Sequence, residues 1–317
     1  MKRAAYFIPF QGCTRRCVYC DQAAITGTDG PPITPEVVAS DMRRLTDPAE
    51  LCYFGGSFAR QDAETVTKYL DAVLSAPFGS VVTFSSYPGD FDGSSGDLLI
   101  STLKQYPIGT IELGIPSLDE DVLAACHRDG GTESIKRNLI KLRDAGFHLG
   151  AQIMIGLPGQ SPESSASDIG RLGAIVGDFG PWDLRIYPCL VLRGTELEVM
   201  YREENYSPLT LEEAARQSGV LLRLAKHSGF RAIRVGLPES ESLRNSVIAG
   251  PYHPAFGELA LSEATALELA EETPFGPWKI DRKKISHLTG HGGRGIARLS
   301  ELTSISEKSI RDLILKF

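Results

Sequence analysis

Short apolar runs alternate with longer amphipathic stretches along most of this 317-residue chain. Regular alternation of strand-like and helix-like segments is typical of βα units that build a parallel sheet. The predicted strands are Ala5–Pro9, Leu51–Phe54, Val81–Ser85, Ile108–Ile115, Leu149–Ile155 and Leu184–Leu192, and the predicted helices between them are Thr34–Leu45, Ala63–Leu74, Gly96–Tyr106, Thr132–Ala145 and Pro162–Val176. Six such units predict an α/β fold with an open (β/α)6 partial barrel, although the length also accommodates a full eight-unit barrel.

Three cysteines follow the first predicted strand in the pattern C-x-x-x-C-x-x-C: Cys13, Cys17 and Cys20. Iron–sulfur clusters are usually held by four cysteine thiolates, so a set of three leaves one iron open to a non-protein ligand. Structural zinc is an alternative, but such sites are closed by four ligands. The next cysteine is Cys52 and the first histidine is His127. A third interpretation is a set of buried structural thiols.

The regular alternation ends after residue 192. A long helix over Leu211–His227, a strand-like Arg231–Val235 and a helix near Gly257–Leu269 are predicted next, and a proline- and glycine-rich boundary follows at 273–277. We therefore expect a barrel over residues 1–200, a barrel-completing extension over 201–273 and a small, basic, mainly helical appendix over 274–317.

The composition limits where the chain works. No apolar run has the length of a membrane span, and the start is too short for a signal peptide. Six cysteines in a chain of this length do not suggest a disulfide framework. These features predict a cytoplasmic protein without membrane association. The net charge of −7 disfavours bulk affinity for nucleic acid but does not exclude a local basic patch.

The cysteine spacing resembles the signature of the radical S-adenosylmethionine (SAM) superfamily. The resemblance implies that Cys13, Cys17 and Cys20 hold a 4Fe–4S cluster whose open iron chelates SAM. It further implies one-electron cleavage of SAM to methionine and a 5′-deoxyadenosyl radical. The electron would come from a low-potential donor of the flavodoxin or ferredoxin type, and the fold would be the six-unit barrel common in that superfamily.

A closer resemblance rests on the fifth predicted strand, which runs into Gly156-Leu-Pro-Gly159. This segment is similar to its counterpart in oxygen-independent coproporphyrinogen III oxidase and in the catalytic subunit of Elongator, which modifies tRNA. The similarity to Elongator continues in Ile111–Ile115, Arg185–Thr195 and Tyr252–Phe256, and covers about residues 4–260. The residues after 260 are too few for Elongator's acetyltransferase domain, so its activity is not carried over as a unit.

The resemblance also implies a set of SAM-binding residues, in which Arg128 holds the SAM carboxylate and the paired glycines approach the SAM amino group. The alternatives are a solvated surface arginine at 128 and a hydrogen-bonded core amide at 152. Ser85 stands where the relatives carry a ribose-binding glutamate, and Pro116 replaces a residue with a backbone donor. The predicted SAM-binding residues are Tyr19, Gly55, Gly56, Ser57, Ser85, Arg128 and Gln152.

The tail resembles the core of a KH domain, in which a G-x-x-G loop between two helices clamps single-stranded nucleic acid. Four further cations, Lys279, Arg282, Lys283 and Lys284, precede this loop. The alternative is an ordinary helix–turn–helix segment with a solvated basic face. The predicted RNA-binding residues are Gly290, His291, Gly292, Gly293, Arg294 and Arg298.

The sequence therefore predicts a radical SAM enzyme that modifies RNA. One alternative is a radical SAM enzyme with a small-molecule substrate, and another is a non-catalytic RNA-binding protein with a structural cluster. Catalytic side chains are not identified beyond two candidates, His253 and the thiol of Cys189, and a buried cysteine is more often a small hydrophobe.

Overall fold

The structure is a computed structural model that describes residues 1–8, 10–13, 16–28, 30–128 and 130–316. Its strands are β1 (Lys2–Phe7), β2 (Ala49–Phe54), β3 (Val81–Ser86), β4 (Ile108–Gly114), β5 (Leu149–Ile155), β6 (Trp182–Pro188), β7 (Val191–Leu192), β8 (Phe230–Val235), β9 (Val247–Ala249), β10 (Trp278–Ile280) and β11 (Ile314–Lys316). The α-helices are α1 (Gln22–Thr26), α2 (Pro35–Met42), α3 (Ala63–Asp71), α4 (Gly93–Leu103), α5 (Glu120–Ala125), α6 (Gly131–Asp144), α7 (Pro162–Val176), α8 (Glu196–Arg202), α9 (Leu211–His227), α10 (Glu241–Ser246), α11 (Phe256–Glu272), α12 (Ile285–Thr289), α13 (Arg294–Thr303) and α14 (Glu307–Leu313).

Seven strands form one parallel sheet in the order β1-β2-β3-β4-β5-β6-β8. The sheet curves into the predicted partial barrel, so the fold class is confirmed. The strand-like segment predicted near Arg231–Val235 joins this sheet as its seventh strand, where Trp182 pairs with Phe230 at the start of the β6–β8 ladder. The barrel sheet thus extends one strand beyond the six βα units of the sequence prediction.

The sixth predicted strand, Leu184–Leu192, is divided in the structure. The parallel strand ends at Pro188, and β7 then pairs antiparallel with β9. A proline has no N–H to donate, so the ladder cannot continue unchanged through it. The first strand begins earlier than predicted, and the predicted end at Pro9 lies outside the described residues.

The strands carry apolar side chains toward the helices and mostly polar ones into the barrel. On β4, Ile111 and Leu113 belong to the main hydrophobic core, while Glu112 between them lines the barrel interior. Successive side chains of a strand point to opposite faces. The interior therefore collects charged residues in the middle of otherwise apolar strands.

The tail packs on α11 through a hydrophobic cluster of its own. Ala266 and Leu269 of α11 contact Trp278, Leu288 and the apolar faces of α13 and α14. The same helix packs against α9 on the barrel side. Helix α11 thus contributes to both bodies, and the domain boundaries at 200/201 and 273/274 stay predictions.

Among the helices of the described ranges, none combines the length and the hydrophobicity that a membrane span requires.

Trp278 is the anchor of the tail, since it is 1% exposed and its indole N–H donates to the carbonyls of Leu269 and Thr273 at 3.1 and 2.7 Å. We expect Trp278→Ala to lower the free energy of unfolding by about 3–5 kcal/mol. Phe275→Ala is the matched control, because this aromatic side chain is 78% exposed, and its effect should stay within about 0.5 kcal/mol. Denaturant unfolding of both variants decides the point, and equal effects would contradict the anchoring role.

Candidate functional site

A cavity of about 480 Å³ opens at the carboxyl ends of the barrel strands. This volume lies within the range of small-molecule and cofactor pockets. All seven strands of the sheet contribute lining residues, including Phe7, Phe54, Ser85, Glu112 and Gln152. In parallel βα folds this end carries the chemistry, so the cavity is the candidate active site.

The three cysteines of the motif line one wall of this cavity. The guanidinium of Arg128 lies 3.5 Å from the sulfur of Cys17, and the amide of Gln22 lies 3.9 Å from the sulfur of Cys13. Burial raises the pKa of Cys20 to about 12. Binding of a metal ion to this cysteine would release the thiol proton, because the thiolate is the ligand.

The three thiols are the donor atoms that a metal centre at this wall would use. Within the described ranges, no group of three or more cysteine, histidine or acidic side chains is arranged to hold a metal ion. In a 4Fe–4S cluster each thiolate binds a different iron, so the three ligands surround the cluster and do not meet at one atom. Three cysteines on one cavity wall fit the ligand set of a cluster with one open iron, and the choice between cluster and zinc ligation stays a prediction.

The cysteine loop and the glycine turn after β2 are in direct backbone contact. The amide of Ser57 donates to the carbonyl of Gln11 at 2.8 Å. A Cβ on Gly12 would lie 2.1 Å from the carbonyl oxygen of Ser57, and one on Gly56 would lie 2.2 Å from that of Gln11. Neither position has room for a side chain. Gly55, at φ +105°, adopts a backbone conformation that only glycine enters freely.

Arg128 connects the fourth strand to the cysteine loop. Its guanidinium donates to the carbonyl of Gly114 at 2.7 Å and lies over the ring of Tyr87, 4.3 Å from the centroid. Its Nε atom is buried without a partner among the described residues. A guanidinium held in this way, in the cavity lining and with one N–H group still unpartnered, is suited to bind a carboxylate.

Asp90 holds the glycine turn against the turn that follows β3. Its carboxylate accepts hydrogen bonds from the hydroxyl of Ser57 and, at 3.1 Å, from the amide of Tyr87. Arg60 lies 3.5 Å from the other oxygen. Burial raises the pKa of Asp90 despite these partners. The turns after β1, β2 and β3 therefore form one connected cavity floor.

A buried polar network crosses the barrel interior from β4 to β6. Arg185 donates two hydrogen bonds to Glu112, at 2.6 and 2.7 Å, and the amide of Gln152 donates to the same carboxylate at 2.9 Å. Gly150, opposite Glu112 in the β4–β5 ladder, adds no side chain to this space. Sequence reasoning assigned no role to Glu112 or Arg185. The signal was available, because both are charged residues at inward positions of otherwise apolar strands.

The structure brings the predicted SAM-binding residues together, since all seven line the cavity. Ser85 lies opposite Glu112 in the β3–β4 ladder, so a carboxylate neighbours the position where the relatives carry a glutamate. The cavity lining also includes Pro116. The SAM-binding assignments themselves stay predictions.

The two catalytic candidates are not among the residues that line the cavity. The ring of His253 meets that of His291 edge to face, with 5.9 Å between centroids, and its Nδ1 accepts from the amide of Ala255 at 3.0 Å. Cys189 is buried in a cluster with Cys126 behind the cysteine loop, and burial raises its pKa to about 12. A catalytic role for either stays a prediction.

Four of the predicted RNA-binding residues, Gly290 to Gly293, form the tight turn between α12 and α13, and the other two, Arg294 and Arg298, lie on α13. His291 and Gly292 are exposed, whereas Gly293 is buried. Both arginines of the set are paired: Arg298 lies 2.9 Å from the buried carboxylate of Glu263, and Arg294 lies 2.5 Å from Glu212. Within the described ranges, no ion pair involves Lys279, Arg282, Lys283 or Lys284.

Sequence comparison gives the class of protein that this fold and site define. The radical SAM superfamily domain matches residues 7–167, and the radical SAM C-terminal domain matches residues 181–266. The chain belongs to the radical SAM superfamily, as the cysteine motif predicted. Membership implies a 4Fe–4S cluster and SAM as cofactors.

Among curated proteins, the chain is similar to tRNA uridine(34) acetyltransferase of Dehalococcoides mccartyi, with 26% identity over 231 residues, 62% of this chain and 50% of the relative. The enzyme of that name from Methanocaldococcus infernus is 28% identical over 185 residues, 53% of this chain and 34% of the relative. The chain thus spans half or less of the length of these relatives.

Solved structures show the same fold. An archaeal Methanocaldococcus infernus Elp3 with an N-terminal deletion superposes with a TM-score of 0.60 at 20% identity, covering 86% of this chain and 62% of that one. Streptococcus suis SuiB bound to S-adenosylmethionine superposes with a TM-score of 0.50 at 12% identity, covering 73% and 49%. At these identities the likeness concerns the fold alone.

The contact between the cysteine loop and the glycine turn can be tested by adding one methyl group. We expect Gly56→Ala to lower the free energy of unfolding by about 1–3 kcal/mol, because the new Cβ overlaps backbone atoms that cannot move independently. Gly170→Ala, in α7 with no atom within 4 Å of its Cβ, should instead stabilise by about 0.5–1 kcal/mol. Thermal unfolding and iron content after reconstitution are measured for both, and a neutral Gly56→Ala would contradict the close approach.

Proposed function

We propose that this protein is a radical SAM enzyme that modifies RNA. The observation that carries the enzyme class is the convergence of the three cysteines, the glycine turn and Arg128 on one cavity. When bound, the cluster supplies one electron to SAM, which is cleaved to methionine and a 5′-deoxyadenosyl radical. The remaining chemistry belongs to the protein, which orients the reactants and excludes competing reactions.

Each SAM-contacting residue has a distinct task in this proposal. Arg128 binds the SAM carboxylate with guanidinium N–H groups that Gly114 does not accept, while Gly114 and Tyr87 fix the position of the guanidinium. Gly55 and Gly56 present backbone carbonyls to the amino group of SAM. Apolar side chains that include Phe10, Met154 and Leu190 line the remaining wall and keep water from a reactive radical.

The proposal of an RNA substrate rests on two supports. The curated relatives are named for modifying a tRNA uridine, and the tail carries an exposed group of cations. Arg294 and Arg298 reach RNA only by giving up ion pairs with carboxylates. We therefore propose that the first phosphate contacts come from four exposed residues: Lys279, Arg282, Lys283 and Lys284.

The enzyme class is tested by anaerobic reconstitution of the protein. We expect it to bind about four iron atoms, and with SAM and a low-potential reductant it should form 5′-deoxyadenosine. Cys17→Ser should lose most of the iron. Arg128→Ala should weaken SAM binding about 10- to 100-fold, the effect of losing a hydrogen bond to a charged group. Arg137→Ala is the control, because Arg137 pairs with Asp92 and is not among the cavity-lining residues.

Three outcomes would contradict this proposal in different ways. One tightly bound zinc without sulfide would overturn the cluster. Iron without 5′-deoxyadenosine would favour the structural-cluster alternative. Unchanged SAM affinity in Arg128→Ala would remove Arg128 from the SAM site.

The RNA proposal is tested by the salt dependence of binding to single-stranded RNA. We expect Lys283→Gln combined with Lys284→Gln to weaken binding and to flatten the log–log salt slope by about 0.7 for each phosphate that is no longer neutralised. Lys2→Gln combined with Lys104→Gln removes the same charge from exposed barrel positions and should leave the slope unchanged. Fluorescence anisotropy titrations of the parent and the two double variants at several salt concentrations measure these slopes. Equal slopes would remove the tail from the RNA site and favour a small-molecule substrate.

A further inference from the structure

The cavity is positively charged although the chain is acidic. Among the described residues that line it, one is a carboxylate, Glu112, and five are arginines: Arg3, Arg16, Arg128, Arg185 and Arg234. The net charge of the chain is −7. A cavity that reverses the sign of its protein concentrates anions.

Three of these arginines already have a partner or a proposed task. Arg3 pairs with Glu50 at 2.6 Å, and Arg185 pairs with Glu112 at the same distance. Arg128 is assigned to the SAM carboxylate in the proposal above. These three cations therefore have no positive charge left for a second ligand. The remaining positive charge of the cavity lining belongs to Arg16 and Arg234.

Arg234 lies beside Arg185, because the two residues pair in the β6–β8 ladder. Arg185 is neutralised by Glu112, whereas Arg234 is exposed and forms no ion pair or hydrogen bond within the described part of the chain. Tyr187 lies within electrostatic range of both guanidinium groups, and burial raises its pKa. This hydroxyl therefore remains a neutral donor beside the free cation.

The position of Arg234 separates it from the proposed SAM site. The cysteine loop, the glycine turn and Arg128 follow β1, β2 and β4, and Gln152 of the same proposed site lies on β5, whereas Arg234 is on β8 at the far edge of the sheet. Its cavity neighbours that follow β6 and β8 are apolar: Leu190, Leu192, Leu237 and Pro238. A free guanidinium beside an apolar wall matches a ligand with an anionic group and a flat, weakly polar body.

We propose that the β6–β8 side of the cavity is a phosphate subsite in which Arg234 binds a backbone phosphodiester of the substrate RNA next to the reacting nucleotide. This inference rests on the proposed function for the identity of the substrate. Arg16, exposed and stacked on the ring of Phe10 at 4.2 Å, supplies a second positive charge at the cysteine side of the same cavity.

The test compares dinucleotide ligands that differ only in charge. Equilibrium dialysis of the full chain with SAM present uses uridylyl-uridine, its uncharged methylphosphonate analogue and uridine 5′-monophosphate. We expect the parent to bind the phosphodiester about tenfold more tightly than the methylphosphonate, since the analogue cannot form a charged hydrogen bond. Arg234→Gln should abolish this preference, and Arg234→Lys should keep part of it. SAM affinity, measured in parallel, should stay unchanged in both variants and shows that they are folded.

Two controls isolate the cavity. Arg231→Gln removes an arginine of the same strand that pairs with Asp183 and is not among the cavity-lining residues, and it should behave like the parent. The double variant that carries Lys283→Gln and Lys284→Gln should also prefer the phosphodiester, because a dinucleotide bound in the cavity does not contact the tail in this proposal.

If Arg234→Gln still prefers the phosphodiester over the methylphosphonate, or if the parent shows no such preference, the subsite proposal is wrong. A preference for the monophosphate alone would overturn the phosphodiester assignment and indicate a small-molecule anion. The binding measurement needs no turnover, so the two proposals can fail separately. Absence of SAM cleavage would refute the proposed function, whereas absence of the phosphodiester preference would refute only the subsite.

Discussion

The site depends on a backbone contact that leaves no space for side chains. The loop that carries the three cysteines rests on the glycine turn after β2, with Gly12 and Gly56 each facing a carbonyl oxygen of the other segment. Because backbone atoms on two strand-end turns define this contact, the cysteines take their positions from the sheet itself. Asp90 then ties the glycine turn to the turn after β3, and Arg128 ties β4 to the cysteine loop.

Local patterns in the sequence were sufficient to predict the fold class and the cavity. The six strands follow from short apolar runs separated by helix-length stretches, because a buried parallel strand needs apolar residues on the face that packs against helices. The cysteines, the paired glycines and Arg128 could be placed near each other for a simple reason. Each follows a strand, and parallel strands end at the same edge of a sheet.

Pairings between distant residues could not be predicted, because no local pattern encodes them. Arg185 and Glu112 are 73 positions apart and meet across an intervening strand at a glycine. In the same way, Arg298 looked like a free cation of a basic tail, but Glu263 of α11 faces it from within the protein. The seventh strand was predicted as part of a barrel-completing extension, but its pairing partner, β6, is known only from the ladder.

These pairings change how the charge of the molecule is interpreted. A count of basic residues treats Arg294, Arg298 and Arg185 as equal to Lys283 and Arg234, yet the first three are neutralised by carboxylates. An ion pair must be broken before such a cation binds a phosphate, and breaking a buried pair is strongly destabilising. Unpaired cations face no such penalty. Among the described cations near the proposed RNA path, the unpaired ones are those of the exposed basic segment of the tail and Arg16 and Arg234 of the cavity, so these groups can bind an anionic substrate without breaking an ion pair.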